Sequence, residues 1–478
     1  MSSLSYKDNP GETSTYGEDA FPPTASVFRS NDDNASTATS RRRKICCCLP
    51  RPKSRRGVWL LRAVFAFGLL LMAVIGVAVY LGLQSSSSTP RNVGPLITSE
   101  EMDRYLRQAV GANELENRDS YTSLAYRWML QNPFSLQEFR MRVEDRVLQR
   151  YALACLYYAT YRVNNDWLRY NQGLMDAQPQ DIFPWTESQG WLVYANECDW
   201  YGITCNQFGY VTSLDLGSND LTGEIPPQLQ YLSHGLEFLN IEGNYAYNVH
   251  PHFLGKLTNL KYLYMKDSLF ESDGIPLVFA ALTNLEEFDC SHTMFHGPLR
   301  EDIFENMAQL RYLEISGNQV NSTLPQSLIS LPNLKYFYAD NVGLTGNLEF
   351  LQDMSALVET WLDRNPTLTG TLPTILGPQL ESLSLTRNNI TSSIPDEWGS
   401  HSKLKHLWLY SNYLYGSIPH SFRKLSQLQT FAVEDNLFTG NVEHMCADLS
   451  IPDFQVDCEM DCSCCSCCGI EECTGERS

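Results

Sequence analysis

The sequence predicts an α/β repeat fold: a solenoid of about ten short coils whose strands form one parallel sheet on a concave face. Three observations predict it. An apolar phrase recurs from Val211 to about Asn441, beginning at Val211, Leu236, Leu260, Leu285, Leu310, Leu334, Leu357, Leu380, Leu404 and Leu428, in steps of 23 to 25 residues. Each copy holds an alternating apolar pair, such as Leu313 with Ile315 or Leu407 with Leu409, the mark of a short strand with one buried side. An asparagine then follows, at Asn219, Asn244, Asn318, Asn365, Asn388, Asn412 and Asn436, where its amide can satisfy backbone groups that water does not reach.

Each coil continues into an extended corner at Ile225-Pro226, Ile275-Pro276, Leu324-Pro325, Leu372-Pro373, Ile394-Pro395 and Ile418-Pro419. One coil cannot bury its own apolar row, so the coils must stack. The pattern L-x-x-L-x-L-x-x-N is the leucine-rich repeat. Ser268, Thr293 and Val342 stand where the asparagine belongs, so coils three, four and six are expected to be irregular.

The phrase LTGEIP, Leu221 to Pro226, resembles the plant-type leucine-rich repeat, and Cys198-Asp-Trp-Tyr-Gly-Ile-Thr-Cys205 resembles the N-terminal cap of plant receptor-like proteins and kinases. The phrase QRYALACLYYAT, Gln149 to Thr160, is similar to the cap of membrane-anchored repeat proteins of diatoms and related algae. The resemblance covers roughly the last three quarters of the chain. It implies a Cys198–Cys205 disulfide, an extracellular ligand and signalling only through a partner such as a co-receptor.

From the N-terminus, residues 1–62 are expected to be a disordered cytosolic tail with a basic juxtamembrane segment. Its hydroxyls are open to phosphorylation or to inert solvation. Arg41, Arg42, Arg43 and Lys44, then Arg51, Lys53, Arg55 and Arg56, precede a transmembrane helix expected over 63–83, twenty-one residues without a charge. A helix of that length spans about 30 Å. Basic residues crowd its N-terminal side, which places the N-terminus in the cytosol and the repeats outside. A cleaved signal peptide fits less well, because the apolar stretch lies far from Met1 and is too long. Cys46, Cys47 and Cys48 beside the span are open to S-palmitoylation or remain free thiols.

Residues 84–118, opening on four serines, read as a stalk, and 119–210 as a helical cap over the first coil. Leu124 and Trp128 share one helix, ended by Pro133, and Ser135 with Glu138 forms a capping box for the next. That next helix carries the stripe Leu148, Tyr151, Ala152, Cys155, Leu156 and Ala159. Trp167, Trp185 and Trp191 serve as packing material. The solenoid is expected over 211–441 and a cysteine-rich C-terminal cap over 442–478.

Twelve of the fifteen cysteines follow the expected span. Cys155 and Cys290 occupy apolar slots and read as buried thiols. The eight from Cys446 to Cys473 form an even set whose pairing the sequence leaves open. Zinc binding is the rival reading there, but histidine is nearly absent and an oxidising compartment favours disulfides. Asn321 and Asn389 head sequons just past the strand, where a glycan would not block the sheet, whereas Asn34 falls in the expected cytosolic tail.

The net charge is −20, yet residues 1–62 hold eleven basic against six acidic residues, leaving 24 against 49 for the rest. Such an acidic domain excludes nucleic acid as a partner and favours cationic ones. On the concave face, the slot between the buried strand residues holds Asp215, Asn240, Tyr264, Asp289, Glu314, Tyr338, Trp361, Ser384, Trp408 and Ala432. Neighbouring columns add Tyr262, Tyr312, Tyr336, His406 and Tyr410, with the bases Lys261, Lys266, Arg311, Lys335, Arg364, Arg387 and Lys405. Tyr262, Tyr264, Tyr312, Tyr336, Tyr338, Trp361, Trp408 and Tyr410 are therefore the candidate ligand-binding residues, for a protein, peptide or glycan. The competing reading is cross-strand packing alone.

G-x-S-x-G, H-E-x-x-H, the phosphate loop and the kinase signatures are all missing, and the acid pair Glu286-Glu287 is expected to point to opposite faces. No enzyme, cofactor or metal is expected. The function expected is a single-pass, cell-surface leucine-rich-repeat receptor-like protein. The alternatives are an adhesion or cell-wall protein, or an inhibitor of a wall-degrading hydrolase.

Overall fold

A computed structural model describes residues 96–117, 120–132, 134, 141–161, 185–193, 196–248, 251–457 and 460–467. The tail, the span over 63–83, Cys46 to Cys48, Asn34, Trp167, Cys458, Cys468 and Cys473 lie outside them. Among the described residues no helix is long and apolar enough to cross a membrane.

The folded region begins earlier than the sequence reading placed it. Helix α1, Ser99–Ala109, and the short α2, Ala112–Glu116, occupy part of the stretch expected to be a stalk. Thr98 and Glu101 form a reciprocal capping box, and Met102 and Leu106, one turn apart, are buried. Helix α3, Tyr121–Gln131, starts at the N-cap Ser120, whose side chain accepts from the Ser123 amide. Helix α4, Val143–Thr160, carries the expected apolar stripe but begins after Arg142. The Ser135–Glu138 box is therefore not its start, and both residues lie outside the described ones.

The repeats build one 13-stranded sheet. Strand β1, Ile203–Cys205, pairs antiparallel with β2, Val211–Asp215, and every later pairing in the sheet is parallel. The strands of the next coils are β3 Phe238–Asn240, β4 Tyr262–Tyr264, β5 Glu287–Asp289, β6 Tyr312–Glu314 and β7 Tyr336–Tyr338. After them come β8 Glu359–Trp361, β9 Ser382–Ser384, β10 His406–Trp408 and β11 Thr430–Ala432. Register runs residue for residue, so that Tyr312, Tyr336 and Glu359 form one row and Glu314, Tyr338 and Trp361 the next. Short 3-10 or α turns, such as Pro227–Leu232 and His420–Lys424, close the coils opposite the sheet, and several start behind an extended proline cap. The leucine rows merge into one core reaching from Ala152 to Met460.

The asparagines form a ladder. Asn365 is fully buried; its amide donates to the carbonyls of Ala339 at 2.8 Å and Leu362 at 3.0 Å, and its oxygen accepts from the Val342 and Leu344 amides. The three expected irregular coils keep their place in the sheet. The Ser268 hydroxyl donates to the Ile241 carbonyl at 3.0 Å and that of Thr293 to the Cys290 carbonyl at 2.8 Å, while Val342 is simply buried.

The solenoid does not stop at 441. Phe454 and Val456 repeat the buried apolar pair, and β12, Asp453–Val456, and β13, Ser466–Cys467, extend the sheet. Asp457, directly after the second buried apolar, accepts from the Asp435 amide through its carboxylate at 2.7 Å. Around this last coil Cys446 pairs with Cys464 and Cys462 with Cys465. At the other end Cys198 pairs with Cys205, and Cys155 and Cys290 are buried and free.

The cap is sealed to the array by polar groups that the sequence reading missed. Glu197 is completely buried and accepts from Arg146 at 3.1 Å, Arg150 at 2.9 Å and Gln149 at 3.1 Å. The Arg150 guanidinium lies over the rings of Trp128, Phe134 and Trp200. Gln149 also accepts from the Val211 amide at 2.9 Å. Gly223, at φ +105°, lets the first coil approach the end of α4, since a Cβ there would lie 2.5 Å from the Ala159 carbonyl oxygen.

Candidate ligand-binding face

Three strand residues per coil leave little width, and most aromatics of this face lean on a ring of a neighbouring coil. Phe238, Tyr262 and Tyr264 form one group, with ring centroids 6.1 Å and 5.6 Å from Phe238. A second runs Tyr312–Tyr338–Trp361–Trp408, with steps of 5.6, 5.3 and 6.5 Å, each edge to face. Glu287 and Asp289 of β5 separate the two groups, while Tyr336 shares β7 with Tyr338. Trp408 is stacked on His406, and Tyr410 is half-buried just after β10.

Six of the eight predicted residues thus fall into two ring groups, with Tyr336 beside Tyr338 on the same strand and Tyr410 just past its strand. The rings pack across strands, and Tyr336 is 38% and Trp361 41% exposed. Not every slot expected to face out is open. Ser384 is buried between the rows of Trp361 and Trp408, Asp289 is buried while accepting from the Ser291 hydroxyl at 2.6 Å, and Ala432 is too short to reach out. Phe238, in the same row as Tyr262, belongs to this face as well.

Hydroxyls and carboxylates are paired along the face. Tyr312 donates to Glu314 at 2.6 Å, Tyr338 to Glu359 at 3.1 Å, and Tyr264 to Glu287. Burial, reinforced by these carboxylates, pushes all three phenols well above their ordinary range. Tyr262 meets Glu286 at 3.5 Å. Glu286 and Glu287 therefore do not point to opposite faces: Glu286 precedes β5, outside the strict alternation, and both reach tyrosines of the coil before. One border of the face is a ladder of ion pairs, Lys261–Glu237 at 2.7 Å, Arg311–Glu286, and Lys405–Glu381 at 2.6 Å. Such exposed pairs are worth about 0–1 kcal/mol each.

On the opposite border, the residue after the second buried apolar of each coil is often acidic: Glu242, Asp340, Asp363 and Glu434. Asp340 accepts from the Asp363 amide at 2.8 Å, and Asp363 from the Ser384 hydroxyl at 2.6 Å. Burial, with the charges of Asp363 and Glu314, pushes Asp340 up to about 6 against that hydrogen bond. Burial likewise raises Asp363 and Glu242 and, with Asp457, Asp453 and Asp435 nearby, pushes Glu434 up to about 7. A carboxyl raised in the folded state binds protons more tightly there than in the unfolded chain. Its contribution is thus present below the unfolded value and is lost as pH rises through the folded one. Glu434→Gln is expected to stabilise the protein by about 1–3 kcal/mol at pH 8 and by almost nothing at pH 4, read by urea melts at both.

Asn321 and Asn389 are exposed beside the sheet, where Asn389 also donates to the Pro366 carbonyl at 2.8 Å.

Models of the leucine-rich repeat match residues 210–232 and 378–438. Among curated relatives, the chain is 30% identical over 264 residues to Receptor-like protein 6 of Arabidopsis thaliana, covering 50% of this chain and 25% of that one. It is 31% identical over 237 residues to Receptor-like protein EIX1 of Solanum lycopersicum, covering 44% and 22%. The chain thus spans about a quarter of the length of these relatives. Among solved structures, the LRR ectodomain of the plant membrane receptor kinase GASSHO1/SCHENGEN3 from Arabidopsis thaliana, in complex with CASPARIAN STRIP INTEGRITY FACTOR 2, matches with 27% identity and a TM-score of 0.49, covering 55% of this chain and 31% of that one. The repeat array is similar to those of plant receptor-like proteins.

Proposed function

We propose that this chain is a non-catalytic, receptor-like protein of the cell surface, anchored once through residues 63–83 with its N-terminus in the cytosol. Its solenoid binds an extracellular protein, peptide or glycan, and any signal passes through a co-receptor. The row of aromatic side chains across coils five to nine, partly open to solvent on a rigid sheet, carries this reading. The similarity to plant receptor-like proteins supports the receptor-like role, and the cap phrase Gln149 to Thr160 supports kinship with the membrane-anchored repeat proteins of diatoms and related algae.

The test is to display the full chain in detergent micelles on peptide and glycan arrays. A ligand whose binding falls at least tenfold in both Trp361→Ala and Trp408→Ala supports the proposal, because truncating a buried aromatic anchor removes about 2 kcal/mol or more. Binding indifferent to both substitutions would remove it. The topology is tested separately. Glycosidase treatment is expected to shift the wild-type band but not that of the Asn321→Gln, Asn389→Gln double variant, and a glycan on Asn34 would reverse the orientation. Cys46, Cys47 and Cys48 are proposed to carry hydroxylamine-sensitive acyl chains in the same topology.

A further inference from the structure

The register of the sheet sorts side chains into rows, and four consecutive coils concentrate one charge. Across β5 to β8 the two strand rows of this face hold Glu287, Glu314 and Glu359 and the buried Asp289, with Tyr312, Tyr336, Tyr338 and Trp361. The row beyond adds Ser291, Ser316, Asp340 and Asp363. Those twelve positions contain six acids and no lysine or arginine. The bases of the same coils stand at the borders, where Arg311 is already held by Glu286.

The aromatic geometry narrows the guest. Tyr338 meets Trp361 at 67° and Trp361 meets Trp408 at 76°, while His406 covers one face of Trp408 at 9°. Broad ring faces suited to a sugar platform are thus largely taken by neighbouring edges. The carboxylates accept the tyrosine hydroxyls, so the face turns acceptors toward a ligand rather than donors. A guanidinium or ammonium group satisfies those acceptors with charge-assisted hydrogen bonds.

We propose that the ligand of this face is a cationic peptide, seated over coils four to seven with arginine or lysine side chains between Tyr338 and Trp361 and the carboxylates of Glu314, Asp340, Glu359 and Asp363. This rests on the ligand-binding reading above and adds the chemical class. A local signature separates it from the general attraction of an acidic protein for cations. Asp340 faces Glu314 on the coil before and Asp363 and Arg364 on the coil after, and it ionises at about 6, above the ordinary carboxylate range. Binding at this face therefore tightens as pH rises from 5 to 7.5, where ordinary surface carboxylates have finished titrating.

The probes are three dodecapeptide libraries, random except for three fixed arginines, three fixed glutamines or three fixed glutamates, screened against the full chain in detergent micelles at physiological salt. The expected result is binders from the arginine library that lose at least tenfold in affinity with Asp363→Asn or Trp361→Ala, and whose gain between pH 5 and 7.5 disappears in Asp340→Asn. Far-ultraviolet circular dichroism of each variant confirms its fold. Trp361-dependent binders drawn only from the glutamine or glutamate libraries would overturn the cationic class and leave the binding face standing. Arginine peptides indifferent to all three substitutions would mark a diffuse charge effect and overturn the proposal. Absence of any Trp361-dependent binder would overturn the class and the face together.

Discussion

Glu197→Ala is expected to cost about 3–5 kcal/mol and to loosen the cap from the first coil. The carboxylate is the partner of two guanidinium groups that are themselves 2% exposed, Arg146 and Arg150, and of the Gln149 amide. Removing it leaves two cations in a site lined by Trp128, Phe134 and Trp200 without the negative charge that offsets their desolvation. Glu197→Gln keeps the volume and one acceptor but loses the charge, so its loss is expected to fall between wild type and alanine. Urea unfolding followed by tryptophan emission measures both, because the rings around Arg150 report directly. A change below about 1 kcal/mol in the alanine variant would show that the cluster contributes little net stability.

Asn365→Ala is expected to cost about 3–4 kcal/mol. It strands the Ala339 carbonyl and the Val342 and Leu344 amides in a region water does not reach, while the Leu362 carbonyl keeps the Asn388 amide as a donor. The loss should be greater than at Asn436, which is partly open to solvent. Asn365→Asp discriminates the cause: it keeps the shape and the acceptor but removes both donors, so it should be about as damaging as alanine. Hydrogen exchange is expected to report the opening on coils six to eight before the ends of the array.

Most of the repeat region was legible because period and chemistry agree there. Leu313 and Ile315, or Leu407 and Leu409, fix strand and face together, and the register then fixes which aromatics meet. The final coil was hidden because the pair Phe454 and Val456 leads to Glu459 where the expected phrase has asparagine, with cysteines on either side. The extent of the cap was misjudged for another reason: serines before it suggested a stalk, although Thr98, Glu101, Met102 and Leu106 spell a capped amphipathic helix. Glu197 was silent because nothing adjacent in sequence marks a buried acid; its partners arrive from 47 to 51 residues away. On the binding face, alternation gave the columns but not the occupancy, so Ser384 and Asp289 counted as open until the side chains over them were known.

The residue-for-residue register has one further effect. Neighbouring strands stand about 4.8 Å apart, so the face is a ruler whose graduations are whole coils. Excising one coil between Trp361 and Trp408 would keep the core continuous while bringing those two rings from two graduations apart to one. Spacing on this surface can therefore change only in fixed steps, and a partner matched to it is matched to a count of coils.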